Sequence, residues 1–169
     1  MEFNKIYIFI LAILGIILLY SYYYFFKNDN NSKKLWGKIN GNLLKIYYVS
    51  MLLSTLGFLL LFYYIVTSNI FTQNNINLIF GLLVAIIVIS MFWMPLSLNY
   101  LKNKNESIKY LIILVLFLVA LSTLYLLYIL QNINDKSNKF SKNLALIGMS
   151  YFFIHALFFD TITWSYNFF

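Results

Sequence analysis

The sequence predicts an all-α membrane protein whose five transmembrane helices form a single bundle. Hydrophobic residues make up 62% of the 169 residues and charged residues only 10%, a composition too apolar for a soluble domain that must present a polar surface to water. Five apolar stretches each approach the roughly 20 residues that a helix needs to cross a bilayer. We therefore interpret 1–169 as one transmembrane domain whose main partner is the lipid bilayer.

The five predicted spans cover 6–26, 43–66, 76–101, 108–130 and 144–166. The first is interpreted as a retained span and not a secretion signal, because its apolar run is long and ends in aromatic residues without a small-residue cleavage site. Tyrosines recur near the ends of the spans, which is typical of side chains that anchor a helix at the membrane interface.

The lysines predict an orientation. The net charge is +7, and every basic residue is a lysine near a loop or a helix end, so the charge requires no nucleic-acid partner. One face carries eight lysines and the other four, which favours a cytoplasmic C-terminus and an N-terminus outside. The glycosylation sequons at Asn30 and Asn105 would then lie on the cytoplasmic face and stay unmodified. The two lysine sets are Lys27, Lys33, Lys34, Lys38, Lys45, Lys102, Lys104 and Lys109 against Lys5, Lys136, Lys139 and Lys142.

Polar groups inside the last span are the first candidates for function. An ionisable residue in hydrocarbon is costly and marks a functional site by default, and this span holds His155 and Asp160, with Trp164 four residues further on. On an α-helix, His155 and Asp160 would point about 140° apart at roughly 100° per residue. An acid–base dyad would therefore need an unwound turn or a partner helix.

A purely structural role for the same residues is the alternative. In that interpretation Asp160 reaches the membrane interface, and His155 bonds a hydroxyl of the second span. The candidate hydroxyls are those of Ser50, Ser54 and Thr55.

The third span contains the only proline of the chain, Pro95. Because proline has no amide hydrogen, the helix should kink there and free the carbonyl of Met91. A bend next to Trp93 can shape an apolar pocket between helices, although proline is also common in transmembrane helices for packing reasons.

Several kinds of chemistry have no residues to support them. The chain has one histidine and no cysteine, too few side chains for a metal site, and it lacks a nucleophile elbow and a phosphate-binding loop. We therefore expect no enzymatic activity and no required cofactor. The longest loop, which contains Trp36, is interpreted either as a solvated connector or as a lid over the bundle.

Five spans, a longest loop between the first two, and Trp93-x-Pro95-Leu96 in the third together resemble the tryptophan-rich sensory protein family, TspO/MBR. Ser90 stands where that family has an asparagine, and Gly57 matches a glycine of its second helix. In the fifth helix Tyr151 matches the tyrosine of a Pro-Tyr pair, whereas the first loop lacks the prolines of the family.

The resemblance implies a cavity among the helices that binds, and moves, a bulky apolar small molecule such as a porphyrin or a sterol, in a homodimer. It implies that Trp93 and Pro95 shape the cavity wall and that Tyr151 and Trp164 stack on the ligand. Polar contacts would come from His155 and Asp160.

Two other functions are compatible with the same residues. The first is a proton or ion conduit that uses Asp160 and His155 as titratable relays. The second is a scaffold or assembly protein without chemistry, in which Asp160 pairs with another subunit.

Overall fold

The computed structural model describes residues 5–68 and 71–169, and their long regular elements are all helices. Five of these helices are long and apolar enough to cross a membrane, which confirms the all-α class and the five predicted spans. Each helix extends beyond its predicted span at both ends. The helices are α1 (Lys5–Asn28), α2 (Gly41–Thr67), α3 (Gln73–Asn103), α4 (Glu106–Asn132) and α5 (Lys139–Phe168).

Short polar caps set the ends of α3 and α4. Thr72 precedes α3 and accepts a hydrogen bond from the backbone N–H of Asn75 at 3.3 Å, while Asn105 precedes α4 and accepts one from Ser107 at 2.8 Å. Between the two helices, Lys104 adopts a left-handed conformation with φ of 50° and donates its N–H to the carbonyl of Tyr100 at 2.8 Å. These caps satisfy backbone groups at the helix ends, so α3 and α4 form a tight hairpin.

Two helices approach each other closely where α2 crosses α5. At this point Gly57 faces Gly148, and a Cβ atom added to Gly148 would lie only 2.6 Å from the Cα of Gly57. Small residues allow two membrane helices to bring their backbones into contact, which gains dispersion energy along both helices. The Gly57–Gly148 contact therefore fixes how α2 and α5, the two helices with most of the interior polar groups, lie against each other.

Helix α5 changes its winding in the middle. Lys139–Ile154 is α-helical, His155–Trp164 is π-helical, and Ser165–Phe168 is α-helical again. The side chain of Thr161 also reaches back five residues, donating to the carbonyl of Ala156 at 2.8 Å. π-Turns are rare and frequently occur at functional sites, and this one contains both ionisable residues of the last span.

The loop between α1 and α2 packs over one end of the bundle. It contains a short 3-10 helix, Ser32–Trp36, and buries Leu35 and Ile39. The backbone N–H of Lys38 donates to the carbonyl of Asn167 at 3.0 Å. A Cβ atom on Gly37, whose φ is 55°, would lie 2.8 Å from the Cα of Phe168. The loop, residues 29–40, thus packs on the C-terminal end of α5 and is not a solvated connector. We call it the loop cover.

At the other end of the bundle, Asp135 organises the loop between α4 and α5. Its carboxylate is buried and accepts hydrogen bonds from the backbone N–H of Asn138 at 2.8 Å and the hydroxyl of Ser137 at 2.9 Å. The hydroxyls of Tyr64 and Ser68 donate to its second oxygen at 3.1 and 3.4 Å. Burial raises the pKa of Asp135, but the hydrogen bonds from Asn138, Ser137 and Tyr64 outweigh it and hold that pKa below its usual value.

A lowered pKa makes the stability of this end of the bundle depend on pH. The ionised form of Asp135 contributes stability above the unfolded-state pKa of about 3.9, and this contribution is lost as the pH falls through the lower folded-state pKa. Asp135→Asn is therefore expected to cost about 1–3 kcal/mol at pH 7 and to lose less stability than the native protein on acidification to pH 3. Thermal midpoints in detergent at both pH values test this, with the exposed Glu106→Gln as the control. Equal pH dependence in native protein and Asp135→Asn would contradict it.

Candidate functional site

The π-helical turns of α5 bring His155 and Asp160 together. In a π-helix the backbone hydrogen bond joins residues five apart, so residues i and i+5 lie one above the other. The Nε2 atom of His155 is 3.5 Å from Oδ1 of Asp160. The separation of about 140° predicted from α-helical geometry is therefore wrong for this segment, and the unwound turn that a dyad requires is present.

Both side chains belong to a hydrogen-bonded group that joins α2 to α5. The hydroxyl of Tyr47 donates to Oδ1 of Asp160, and Ser50 Oγ lies 2.8 Å from Nδ1 of His155. The hydroxyl of Tyr151 donates to the same Ser50 oxygen at 3.1 Å. We call these five residues the polar cluster. The predicted bond from His155 to a hydroxyl of the second span is confirmed for Ser50, whereas Asp160 points into the bundle and not toward the interface.

The polar cluster borders a cavity of about 110 Å³ in the middle of the bundle. Every long helix contributes to its wall, and the loop cover contributes Trp36. Apolar side chains of α4 and aromatic rings from α1, α2, α3 and the loop line it together with the carboxylate. The lining residues are Tyr22, Trp36, Tyr47, Met51, Ser90, Trp93, Val115, Leu116, Val119, His155 and Asp160.

The two tryptophans predicted to form the site have different positions. Trp93 lines the cavity, and the ring of Trp164 packs edge-on against it with centroids 5.3 Å apart. Trp164 is 1% exposed and donates its indole N–H to the carbonyl of Leu35 at 2.8 Å. Trp164 thus supports the cavity wall from behind and ties α5 to the loop cover.

Pro95 and Tyr151 also lie outside the cavity wall. Helix α3 continues through Pro95 to Asn103 as one helix, and Pro95 is partly buried next to the wall residue Trp93. Tyr151 reaches the site only through its hydrogen bond to Ser50. Of the six predicted site residues, the cavity is therefore lined by Trp93, His155 and Asp160.

Three aromatic residues of the wall have no special signal in the sequence. Tyr22 donates its hydroxyl to the carbonyl of Ser90 at 2.7 Å and packs edge-on against Trp93. Trp36 packs edge-on against Tyr47 with centroids 5.2 Å apart. Tyr22 and Tyr47 each stand beside other tyrosines near the end of a span. The sequence therefore does not distinguish a tyrosine that faces the cavity from one that anchors the helix at the membrane interface.

The polar cluster extends through only part of the bundle. Beyond Ser50, the hydroxyl of Ser54 donates to the Ser50 carbonyl at 2.8 Å, and the next turn of α2 is closed by the Gly57–Gly148 contact. Among the described residues, the next buried polar pair in that direction is Tyr64 with Asp135, at the far end of the bundle. The buried hydroxyl of Thr123 on α4 donates to the carbonyl of Val119 at 2.8 Å. It bonds within its own helix, so no described hydrogen bond joins the two polar regions.

Within the described ranges, no group of three or more histidine, cysteine or carboxylate side chains could hold a metal ion. Fold and site together define a class: a five-helix membrane bundle with a polar cluster beside an aromatic interior cavity. The chain matches no protein-family model, and neither curated proteins nor solved structures give a significant match. Membership of the TspO/MBR family stays a prediction.

Proposed function

We propose that this membrane protein binds an apolar small molecule in the interior cavity, with a polar group of the ligand directed at Asp160 and His155. The observation that supports this is the placement of a carboxylate and an imidazole on the wall of a largely aromatic and aliphatic cavity. Ligand sites in proteins combine largely apolar walls with a few placed polar groups in the same way.

The size of the cavity limits how a porphyrin or a sterol would bind. A volume of about 110 Å³ is smaller than the roughly 300–1,000 Å³ of sites that enclose a drug-sized ligand. Met51 lines the cavity and is 40% exposed on the outer surface of α2. In our proposal one end of the ligand enters the cavity, and its apolar remainder extends past Met51 into the lipid.

Ligand binding accounts for the distribution of polar groups better than ion conduction does. A conduit needs polar groups or water across the whole membrane, whereas no described hydrogen bond continues the polar cluster past the Gly57–Gly148 contact toward Asp135. We therefore expect proteoliposomes with the native protein to show no more proton flux than those with Asp160→Asn. A flux that disappears in Asp160→Asn while the fold survives would favour the conduit instead.

Tryptophan fluorescence tests the binding proposal. Protoporphyrin, or a sterol with a fluorescent tail, is titrated into the protein in nanodiscs, and saturable quenching is expected. Trp93→Phe should remove a large part of the signal because Trp93 lines the cavity. Trp36→Phe is the second cavity variant, and both should remain monodisperse. An absent signal, or one unchanged in both variants, would contradict the proposal.

We also propose that the C-terminus and the loop cover face the cytoplasm and the N-terminus faces outside. Supporting this is the excess of lysines at the end of the bundle that carries the loop cover and the α3–α4 turn. Expression in a glycosylating host should leave Asn30 and Asn105 unmodified, with an engineered sequon in the loop after α4 as the positive control. Glycan on Asn30 or Asn105 would reverse the orientation.

A further inference from the structure

From the arrangement of charges and rings we infer that the cavity takes a small organic cation, of the size and chemistry of a trimethylammonium head group. This inference rests on the proposed function, because it assumes that the cavity is a ligand site. It specifies the polar end of the ligand, which the proposed function leaves open.

The first argument is the lack of a full counter-charge for Asp160, whose ionised form would be stabilised by a cation bound beside it. Every lysine lies near a loop or a helix end, and His155 is the only basic side chain of the described residues within ion-pair distance of the carboxylate. The Nδ1 atom of His155 is already occupied by Ser50, and Oδ1 of Asp160 takes both the Tyr47 hydroxyl and the His155 contact. A carboxylate in a low-dielectric interior is costly unless a positive group or several donors compensate it.

The second argument is the accessibility of the other carboxylate oxygen. The hydrogen bond from Tyr47 and the contact with His155 both go to Oδ1 of Asp160, and its side chain is 31% exposed and lines the cavity. A positive group inside the cavity would therefore meet a free acceptor. An anionic ligand would instead meet a like charge.

The third argument is the aromatic wall. Four aromatic residues line the same cavity as Asp160: Tyr22, Trp36, Tyr47 and Trp93. Aromatic faces attract cations through their quadrupole, tryptophan most strongly, and aromatic cages are the usual recognition element for quaternary ammonium groups. Rings and carboxylate together favour a cation over a neutral group of the same shape.

The fourth argument is size. The cavity of about 110 Å³ is comparable to an apolar cavity of about 150 Å³ that holds one benzene molecule. A trimethylammonium group fits this space, and a longer tail on the same nitrogen would leave it toward Met51. The cavity thus has the volume of a head group.

Choline and 3,3-dimethylbutan-1-ol provide a matched pair of probes, since the second has a neutral carbon in place of the charged nitrogen. With the full chain in nanodiscs, calorimetric titration should give at least tenfold tighter binding of choline. Asp160→Asn should reduce this ratio several-fold, and the aromatic wall should keep a smaller preference for choline. Glu106→Gln, which changes an exposed acid at the start of α4, should keep the native ratio.

A second pair of variants keeps the test decisive if Asp160→Asn does not fold. Trp36→Leu and Trp93→Leu remove aromatic faces without touching the carboxylate and should weaken choline binding more than binding of the neutral probe. Equal affinity of the native protein for both probes would overturn the cation inference and leave the proposed function intact. Binding of neither probe would also overturn it, and saturable quenching by protoporphyrin or sterol would then show that the proposed function holds by itself.

Discussion

Gly57→Leu is expected to separate α2 from α5 and to prevent formation of the native bundle. An added Cβ at Gly57 would lie 2.6 Å from the carbonyl carbon of Gly148, and backbone atoms cannot move aside as a flexible side chain can. Overpacking costs about 1–3 kcal/mol where neighbours can adjust, so we expect more than about 3 kcal/mol here. Thermal midpoint, size-exclusion profile and the helical circular dichroism signal on heating measure the loss.

Two further variants show that the effect comes from the contact and not from leucine itself. Gly148→Leu should behave like Gly57→Leu, since each glycine faces the other. Gly81→Leu is the matched control, because nothing lies within 4 Å of a Cβ added there. If Gly57→Leu were as stable as Gly81→Leu, the backbone contact between α2 and α5 would not exist in the folded protein.

The same contact determines the geometry of the site. Tyr47 and Ser50 belong to α2, whereas His155 and Asp160 belong to α5, and the hydrogen bonds between them require the close crossing at Gly57. The Cβ of Gly57→Ala meets the same backbone atoms but carries no larger side chain, so the helices should move apart by less than in Gly57→Leu. That movement would pull the hydroxyls away from the carboxylate and the imidazole before the bundle unfolds. Ligand binding should fail at lower temperature than the helical signal in Gly57→Ala.

The spans could be predicted from the sequence because one physical quantity, the length of an apolar stretch, decides whether a helix crosses a bilayer. The location of the candidate site in the last span could be predicted in a similar way, because placing an ionisable side chain such as His155 or Asp160 in hydrocarbon costs free energy. Their mutual orientation did not follow, because the prediction assumed α-helical winding. Nothing in the order of residues 155–164 signals a π-helix.

The aromatic wall was not predictable for a different reason. Tyr22 and Tyr47 each stand next to other tyrosines, and which member of a run faces the interior depends on how the helices pack. Trp36 lies in a loop, where Trp36, Gly37 and Lys38 stand between the buried residues Leu35 and Ile39 and no repeat of apolar residues marks the ring as part of a wall. Tertiary packing decides these positions.

Trp164→Ala is expected to release the loop cover from the bundle. The Trp164 ring is 1% exposed, stacks on Phe168 with centroids 4.3 Å apart and backs the cavity residue Trp93. Truncation of a buried tryptophan costs about 3–5 kcal/mol, and the Leu35 carbonyl also loses its donor. Lys33 and Lys34 lie in the loop, so faster trypsin cleavage after them reports the release directly.

Trp164→Phe separates the contribution of ring packing from that of the hydrogen bond to the Leu35 carbonyl. Phenylalanine keeps an aromatic ring against Trp93 and Phe168 but cannot donate to the Leu35 carbonyl, so its cost should be about 1–3 kcal/mol with an intermediate rate of cleavage. Trp164 does not line the cavity, but it holds Leu35, which is adjacent to the cavity residue Trp36. A loosened loop should therefore also weaken the binding of any ligand that contacts Trp36. Cleavage and ligand affinity unchanged in Trp164→Ala would show that the loop is held by its other contacts, chiefly the burial of Leu35 and Ile39 and the backbone bond from Lys38 to Asn167.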